Sequence, residues 1–361
     1  MKIFLDNIIY TKTLNGGVSN YWFELTKFLM KQENIELAFF EDEKAKSNFH
    51  RKELPISTNK IITTKSTPVL SRLMPIKYKT EEEFIYHSSY FRKLSGAKNQ
   101  IEITTVYDFI HNYYSTFLNK TVHNNLKFNA IKRSKGIICI SHTTYNDLKK
   151  FCPPKAHQKA EVIHVGVSDD YYPLLNFKPK GSILEKYSLE MDYLLFIGGR
   201  TNYKNFDFAA AVINHNTKLK LVIVGGGSLT DKERQLFSDE ALQRIHFIPS
   251  VRNEELNILL NHAIALLYPS SYEGFGIPVV EAMRAGCPVI GLNNSTINEV
   301  ASQSALLLDK LDISQFEQHI ENLRNNDFRK KIIHSGFEES QKYSWEKSSR
   351  ETFEFYNQFG L

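Results

Sequence analysis

Two glutamates flank a glycine-rich turn in the stretch SSYEGFGIPVVEAMRAGCPVIG, residues 270–291. Glu273 and Glu281 lie eight positions apart, and Pro278 between them suits the first turn of a helix, where its missing N–H costs nothing. A helix that begins there directs its positive end and its backbone N–H groups toward an anion such as phosphate. Carboxylates accept strong hydrogen bonds from vicinal hydroxyls, so the pattern predicts a site for an extended ligand that carries both groups. The alternative is that Glu281 only stabilises the positive end of its helix.

A second motif, FIGGRTNYKNFDF (residues 196–208), follows a predicted strand with two cations. Arg200 and Lys204 lie close enough in sequence to hold one diphosphate and to stabilise charge on a departing phosphate. Two cations on an exposed turn are also often just solvated, so this motif alone leaves both interpretations open.

The glycine-rich string VGGGSLTDKE (residues 224–233) invites comparison with a dinucleotide-binding turn. It lacks the third glycine of the G-x-G-x-x-G pattern, and no acidic residue follows a strand at the required distance. We interpret it as a tight strand-to-helix turn that borders a nucleotide pocket and has a structural role.

Length and composition favour two globular domains. The 361 residues exceed the usual size of one hydrophobic core, and 42% hydrophobic with 24% charged residues is an ordinary globular composition. Cys139, Cys152 and Cys287 lack the spacing of a zinc site or a disulfide framework. The opening MKIFLDNIIY lacks a signal-peptide pattern, and no run of about 18 apolar residues predicts a membrane span. We therefore expect a cytoplasmic protein.

Positive charge is concentrated in the first half of the chain. Residues 1–170 carry 25 Lys and Arg against 17 Asp and Glu, whereas residues 171–361 carry 20 against 23. Such a basic half suits anionic lipid head groups, phosphorylated acceptors or nucleic acid, or it is simply a solvated surface. Because no nucleic-acid motif or stacking stripe accompanies the charge, we expect no nucleic-acid partner. Peripheral contact with the inner face of the cytoplasmic membrane remains an expectation.

Short apolar runs alternate with longer amphipathic stretches in both halves, as in βαβ units around a parallel sheet. We predict an α/β fold with two doubly wound, Rossmann-like domains that face each other across a cleft. The predicted divisions are residues 1–172, residues 173–343 and residues 344–361. The second begins with a linker that contains proline and glycine, residues 173–190, and the third is a final helix capped by Ser344. In the first domain we predict strands at IELAFF, QIEITTVYD and GIICIS and helices near 81–95, 121–134 and 143–151.

Taken together, the two motifs resemble those of GT-B glycosyltransferases, specifically the retaining family 4, the glycosyl transferases of group 1. The EGFGIPVVE block with its E-x7-E spacing is the most specific part of the resemblance, which covers nearly the whole chain. Support comes from the Gly-Gly-Arg…Lys-Asn block, ICISHTTYNDLKK, VIHVGV, LNGGVSNYWFEL and YSWEKSSRETFEFY. The resemblance implies an N-terminal acceptor-binding domain, a C-terminal donor-binding domain and a closing helix that crosses back to the first. It also implies a nucleotide-diphosphate sugar donor, no cofactor and no metal.

The same resemblance assigns roles to individual residues. Arg200 and Lys204 would hold the donor diphosphate. Glu273 would contact the donor sugar, and Glu281 the ribose hydroxyls. The backbone that would lie beside the sugar and phosphates belongs to Gly274, Phe275, Gly276 and Ile277, and to Gly16 and Gly17 in the first loop.

One departure from the family pattern lies in TTVYDFIHNYY. Many relatives carry a His-Asp pair after this strand, with the imidazole at the reaction centre, whereas this chain has Tyr107 and Asp108. Tyr107 and Asp108 are therefore candidates on the acceptor side, with Asp108 also a catalytic candidate, and His111 and His87 are the histidine candidates there. His87, in IYHSSYFR, belongs to a segment that resembles one found in bacterial members that build surface polysaccharide. Each histidine is alternatively a structural residue.

We expect a retaining glycosyltransferase that moves a sugar from a nucleotide-diphosphate donor to a glycan or lipid-linked acceptor in lipopolysaccharide O-antigen or capsule synthesis. The glycosidase template of two catalytic carboxylates transfers poorly, because no obvious nucleophile lies on the opposite face. A GT-B phosphorylase is disfavoured by the lack of an evident lysine for pyridoxal phosphate, and an epimerase is a further alternative. A catalytically silent GT-B scaffold that binds a nucleotide or glycan is the alternative outside enzymes.

Overall fold

The computed structural model describes residues 1–64, 73–114, 117–174, 182–189 and 192–360, with only the backbone for 117–122. The chain divides into two compact units. Unit 1 comprises Met1–Gly166 and Ser344–Leu361, and unit 2 comprises Val167–Tyr343. The division therefore falls after Gly166, six residues before the predicted one. Residues 175–181 and 190 of the predicted linker lie outside the described ranges.

Unit 1 is built on a parallel sheet. The strands are β1 (Lys2–Asp6), β2 (Glu36–Glu41), β3 (Ile61–Thr63), β4 (Ile76–Thr80), β5 (Phe84–Ser88), β6 (Leu94–Ala97), β7 (Gln100–Val106), β8 (Gly136–Cys139) and β9 (Lys159–Val162). Helices α1 (Gly17–Leu29), α2 (Phe49–Lys52), α3 (Ile110–Tyr114), α4 (Phe117–Arg133) and α5 (His142–Phe151) join them, with 3-10 turns at Asn7–Thr11, Glu43–Ser47 and Thr58–Lys60. Within the described ranges the sheet order is β3-β2-β1-β5-β7-β8-β9, and β4 pairs with β6 separately.

The predicted strands at IELAFF, QIEITTVYD and GIICIS are confirmed as β2, β7 and β8, and the two later helices as α4 and α5. The predicted helix near 81–95 is wrong, because strands β5 and β6 occupy that range. Every residue of β5 is buried, and the strand pairs with β1 on one side and β7 on the other. A strand that is buried on both faces has no alternation of apolar and polar residues. Periodicity alone therefore does not distinguish it from a buried helix.

Unit 2 has a second parallel sheet. Its strands are β10 (Tyr193–Ile197), β11 (Lys220–Val224), β12 (Ile245–Ile248), β13 (Ala265–Tyr268), β14 (Val289–Leu292) and β15 (Leu306–Leu308). Its helices are α6 (Ile183–Lys186), α7 (Phe206–His215), α8 (Asp231–Arg234), α9 (Asp239–Leu242), α10 (Asn253–His262), α11 (Ile277–Arg284), α12 (Ser295–Ala301), α13 (Ile313–Arg324) and α14 (Asn326–Ser340), with 3-10 turns at Asn202–Lys204 and Ser302–Ser304.

The strand order of unit 2 is β12-β11-β10-β13-β14-β15. Strands β10 to β12 follow one another toward one edge of the sheet, and strands β13 to β15 toward the other edge. The topological switch point therefore lies between β10 and β13. Ligands of doubly wound sheets bind outside the carboxyl ends of the strands at this point. The predicted motifs with Arg200 and Glu273 follow β10 and β13, respectively.

Helix α15 (Trp345–Asn357) belongs to unit 1, as the fold prediction requires. Ser344 caps it as predicted, since its hydroxyl accepts a hydrogen bond from the Lys347 N–H at 3.2 Å. Phe355 and Tyr356 are fully buried, so the helix is part of the core of unit 1. None of the helices in the described ranges is both long and apolar enough to cross a membrane.

Gly166 offers a test of how tightly α15 is held in unit 1. A Cβ atom at this position would lie 2.2 Å from the Trp345 nitrogen and 2.4 Å from the Ser344 carbonyl carbon. Because backbone atoms cannot rotate away, we expect Gly166→Ala to destabilise the protein by at least about 1–3 kcal/mol in urea unfolding. Gly199→Ala is the control, because its added Cβ meets nothing within 4 Å. Equal midpoints for both variants would contradict the packing.

Candidate active site

The glycine-rich turn after β13 begins helix α11 as predicted. Gly276 adopts a left-handed conformation with φ 88°, which permits the sharp entry into the helix, and Pro278 lies in its first turn. The hydroxyl of Thr296 donates a 2.7 Å hydrogen bond to the Glu273 carbonyl. The side chain of Asn294 donates to the Ser270 carbonyl at 2.7 Å. Helix α12 and its N-cap therefore hold the turn that carries Glu273.

Lys204 and Glu273 meet although 69 residues separate them. The Lys204 ammonium lies 2.5 Å from the Glu273 carboxylate and 3.3 Å from the Tyr268 hydroxyl. The exposed fractions of the lysine and glutamate side chains are only 13% and 11%. Such partial burial makes this a far stronger interaction than a solvated surface pair. It excludes the interpretation that Lys204 is merely a solvated cation.

The two loops are also joined through their backbones. Asn205, at a left-handed φ of 50°, donates from its side-chain amide to the Pro269 carbonyl and the Ser271 hydroxyl, both at 2.7 Å. In return the Ser271 N–H donates to the Tyr203 carbonyl at 2.7 Å. Sequence reasoning gave no role to Asn205, although it belongs to the Lys-Asn block, and missed Tyr268, the last residue of β13. These contacts give the Lys204–Glu273 pair a rigid support.

Arg200 is held differently from Lys204. Its Nε donates to Glu233 at 2.8 Å, Nη1 to the Gly225 carbonyl at 3.2 Å, and Nη2 to carbonyls of the turn Gly226–Ser228, the shortest of these at 2.8 Å to Gly227. The side chain is only 3% exposed. Arg200 thus stabilises the turn VGGGS, in keeping with the structural role expected for that string. A diphosphate at Arg200 would need the remaining N–H of Nη1 or would displace some of these carbonyls.

Glu281 lies in the middle of α11 and is half-buried. Burial raises its pKa to about 7, and a hydrogen bond from Tyr171 partly opposes this rise. Tyr171 is itself buried, and its hydroxyl lies 3.3 Å from Asn253 Oδ1. A carboxyl group that titrates near neutrality is more typical of a ligand site than of a helix-stabilising charge. Tyr171 was not predicted, because its place beside Glu281 depends on the fold.

In unit 1 the predicted first loop leads directly into α1. Gly16 has φ 150°, precedes the helix as its N-cap, and would have no neighbour within 4 Å of an added Cβ. Gly17 is the first residue of the helix, and the Ser19 hydroxyl donates back to the Gly16 carbonyl at 2.8 Å. The backbone here is open to close approach, as the prediction requires.

Tyr107 and Asp108 follow the carboxyl end of β7. The Tyr107 ring is buried, and its hydroxyl donates to the Ser89 carbonyl at 3.2 Å. The Asp108 carboxylate accepts from the Ile110 N–H at 3.0 Å, and the Asp108 carbonyl accepts from the Lys127 ammonium at 2.9 Å. Tyr107 thus has the contacts of a core residue, whereas Asp108 is half-buried.

Lys127 was missed by sequence reasoning. It is fully buried, and its ammonium lies 4.1 Å from the centroid of the Phe109 ring. Burial lowers its pKa to about 8. It anchors the backbone of Asp108, but the sequence of α4 gives no sign that this lysine points inward, because the helix has little amphipathic pattern.

His87, one of the predicted acceptor-side candidates, is buried and has the contacts of a core residue. It lies in the central strand β5 with 0% of its surface exposed. Nδ1 lies 2.6 Å from the Tyr356 hydroxyl and Nε2 lies 3.0 Å from the Thr105 hydroxyl. Burial lowers its pKa to about 3, so the ring stays neutral at physiological pH. His111 is half-buried in α3, with its ring centroid 3.9 Å from that of His123 at an interplanar angle of 33°, and it stays a candidate.

Tyr356→Phe tests the structural role of His87. Loss of the hydroxyl leaves a buried ring nitrogen without its partner, so we expect destabilisation by about 1–3 kcal/mol in thermal or urea unfolding. Transfer activity at a temperature where the variant is folded is expected to stay at the wild-type value. Tyr172→Phe, at a tyrosine that is 52% exposed, is the control. A stable Tyr356→Phe variant that has lost activity would restore His87 as a site residue.

Comparisons with known proteins show what this chain resembles in sequence and in fold. Residues 185–339 match the family model "Glycosyl transferases group 1". O-antigen chain mannosyltransferase B of Escherichia coli is 25% identical over 76% of this chain and 74% of its own length. O-antigen chain mannosyltransferase RfbU of Salmonella typhimurium is 28% identical over 61% of this chain and 60% of its own. Among solved structures, Anabaena HepE in complex with UDP and glucose superposes with a TM-score of 0.72 at 14% identity, covering 100% of this chain and 99% of HepE.

The similarity to HepE concerns the fold alone, whereas the family model and the two mannosyltransferases match the sequence. Together with the two doubly wound units and the assignment of α15 to unit 1, these similarities show the GT-B fold and support a group 1 glycosyltransferase.

Proposed function

We propose that this glycosyltransferase moves a hexose, with retention of anomeric configuration and without a metal, from a nucleotide-diphosphate sugar to a glycan or lipid-linked acceptor during surface polysaccharide synthesis. The Lys204–Glu273 contact carries the proposal, because it joins the two motifs at the switch point of the unit 2 sheet. A cation, a carboxylate and a helix N-terminus together suit a phosphate linked to a hydroxyl-rich sugar.

Each group has a distinct part in donor binding. Lys204 would bind the diphosphate, and its neighbour Glu273 would accept hydrogen bonds from the sugar hydroxyls. The backbone of Gly274–Ile277 would lie beside both. Glu281, eight residues further on, would hold the ribose hydroxyls and so fix the other end of the donor. Arg200 would act mainly by holding the turn Gly225–Ser228 against the nucleotide pocket.

The proposed chemistry breaks the bond between the anomeric carbon and the diphosphate oxygen, which leaves with the electron pair. Lys204 and the positive end of α11 would stabilise the charge on that oxygen. The acceptor hydroxyl would attack the oxocarbenium-like sugar from the same face, and its proton would pass to the departing phosphate. Double displacement would need a nucleophilic carboxylate on the opposite face, and neither Glu273 nor Glu281 is an evident candidate.

The relatives guide the choice of substrates. Two O-antigen mannosyltransferases are similar to this chain, so a mannose donor and an O-antigen-type glycan acceptor are the first to test. HepE, which shares the fold, has been solved with UDP and glucose, so the glucose donor is the second. Action at the inner face of the cytoplasmic membrane would agree with the excess of basic residues in 1–170.

The test is a panel of nucleotide-diphosphate sugars with and without lipid-linked oligosaccharide acceptors, read out as nucleotide diphosphate release and product mass. Retaining transfer is supported if nucleotide diphosphate release depends on the acceptor and the new linkage has the same anomeric configuration as the donor sugar. An inverted linkage contradicts the mechanism. Nucleotide binding without turnover of any donor would instead indicate a silent scaffold. Activity that chelators abolish would contradict the absence of a metal.

A further inference from the structure

A concave pocket of about 420 Å³ lies in unit 1, and none of the predicted site residues lines it. Phe91, Leu126 and Leu73 form apolar parts of its lining, and its polar lining consists of Asn129, Lys93, Lys132 and Arg133. The volume is within the range of small-molecule sites, which extends from about 300 to 1,000 Å³. Cationic and donor side chains beside an apolar surface suit a ligand that has an anionic group attached to a less polar part.

Arg133 is held in place by the protein. Its Nε donates to both oxygens of Glu102, at 2.7 and 2.8 Å, and Nη2 donates to the Phe91 carbonyl at 3.0 Å. Among the contacts of the described residues, Nη1 has no acceptor. These contacts fix the orientation of the guanidinium and leave N–H donors available on its other side. A ligand that binds there would not incur the entropy cost of immobilising this side chain.

The two lysines are less constrained than Arg133. Lys93 immediately precedes β6 and Lys132 lies in the last turn of α4, and both are exposed. Within the described part of the chain, neither ammonium forms an ion pair with a carboxylate. The pocket is therefore lined by three cationic side chains, and the one carboxylate of the described ranges that is paired with any of them is Glu102, which contacts Arg133. The negative end of α4 offsets part of this charge but is equivalent to only about half an elementary charge.

This pocket is not part of the predicted reaction centre of unit 1. Arg133 contacts Glu102, the third residue of β7, so it lies near the amino end of that strand. Asp108 instead follows the carboxyl end of β7. We propose that the pocket of Lys93, Lys132 and Arg133 is a second ligand site that binds a phosphate group carried by an amphipathic molecule. A fixed guanidinium with two mobile ammonium groups suits phosphate, because arginine supplies directed hydrogen bonds and lysine supplies charge.

The test compares Lys93→Gln/Lys132→Gln with Lys31→Gln/Lys60→Gln, which removes the same charge at two exposed lysines of unit 1 outside the pocket. One arm titrates inorganic pyrophosphate by calorimetry in a Lys204→Met background, so that the proposed donor site contributes little. The other arm measures co-sedimentation with phosphatidylcholine vesicles with and without phosphatidic acid. The proposal does not depend on the transferase activity, because neither arm measures transfer.

We expect the pocket variant, and not the control, to weaken binding at least about tenfold in one arm, since each charged hydrogen bond contributes strongly. Loss confined to pyrophosphate identifies a soluble phosphate ester as the ligand, and loss of phosphatidic acid dependence identifies a lipid headgroup. Equal binding by the pocket variant and the control in both arms overturns the proposal. Circular dichroism of both variants verifies that the fold is intact, because both lysines are exposed and their loss should not unfold unit 1.

Discussion

Glu273→Gln is expected to reduce sugar transfer by about 10²–10³-fold, the usual consequence of removing one preorganised electrostatic group from an active site. The substitution keeps the size of the side chain but removes the charge that Lys204 contacts at 2.5 Å. Lys204→Met is expected to lower transfer by a similar factor. Steady-state kinetics with the best donor of the panel measures both effects.

The two variants should differ in how they bind nucleotide. Lys204→Met is expected to weaken binding of the nucleoside diphosphate, because the lysine would contact the phosphates. Glu273→Gln is expected to retain it, because the glutamate would contact only the sugar. Since the two side chains act as a unit, the double variant should be about as slow as the slower single variant.

The matched control is an exposed ion pair in the same unit. Glu321 and Arg324 lie 2.8 Å apart, with side chains about two-thirds exposed. Such a pair contributes little to stability, so Glu321→Gln should leave both kinetics and unfolding unchanged. Wild-type turnover by Glu273→Gln, with a folded protein, would refute the proposed site.

Glu281→Gln is expected to weaken donor binding by about 10–100-fold, since hydrogen bonds to a charged group contribute about 1.5–3 kcal/mol. The wild-type protein should also bind the donor more tightly as pH rises toward about 7, the pKa of Glu281, and then level off. The reason is that only the ionised carboxylate accepts hydrogen bonds from both ribose hydroxyls. The variant should lose this pH dependence, which calorimetry between pH 5.5 and 8.5 would detect (about one and a half units on either side of the pKa).

The same group makes stability depend on pH in the opposite direction. In the unfolded chain Glu281 ionises near its ordinary pKa of 4.5, whereas in the folded protein it holds its proton to about 7. The folded state therefore binds more protons between these values, and its contribution to stability decreases as pH rises through this window. Glu281→Gln should lack that decrease. Tyr171→Phe, which removes a hydrogen bond that lowers this pKa, should shift both profiles to higher pH.

If binding by Glu281→Gln is as tight as that of the wild-type protein, the carboxylate does not contact the ribose. If the wild-type profile is flat while the variant binds weakly, Glu281 contacts the donor but titrates outside the measured range. The two readouts thus separate the contact from the protonation that accompanies it.

Much of the architecture was open to sequence reasoning because it is local. Apolar runs identified β2, β7 and β8, Ser344 identified the start of α15, and the GFGIP turn identified the start of α11. Each depends on side chains and backbone preferences within a few residues of one another. The helix predicted near 81–95 failed because burial of β5 between two neighbouring strands overrides local periodicity.

The sequence by itself determined which side chains this protein has for donor chemistry: the glycine-rich turn, the two glutamates and the two cations. Only the tertiary structure decided how they are used. It placed Lys204 against Glu273 because β10 and β13 are neighbours in the sheet although they are distant in the chain. It turned Arg200 toward the carbonyls of Gly225–Ser228 and buried His87 against Tyr356. These outcomes depend on long-range packing, which brings together groups that no local sequence pattern connects.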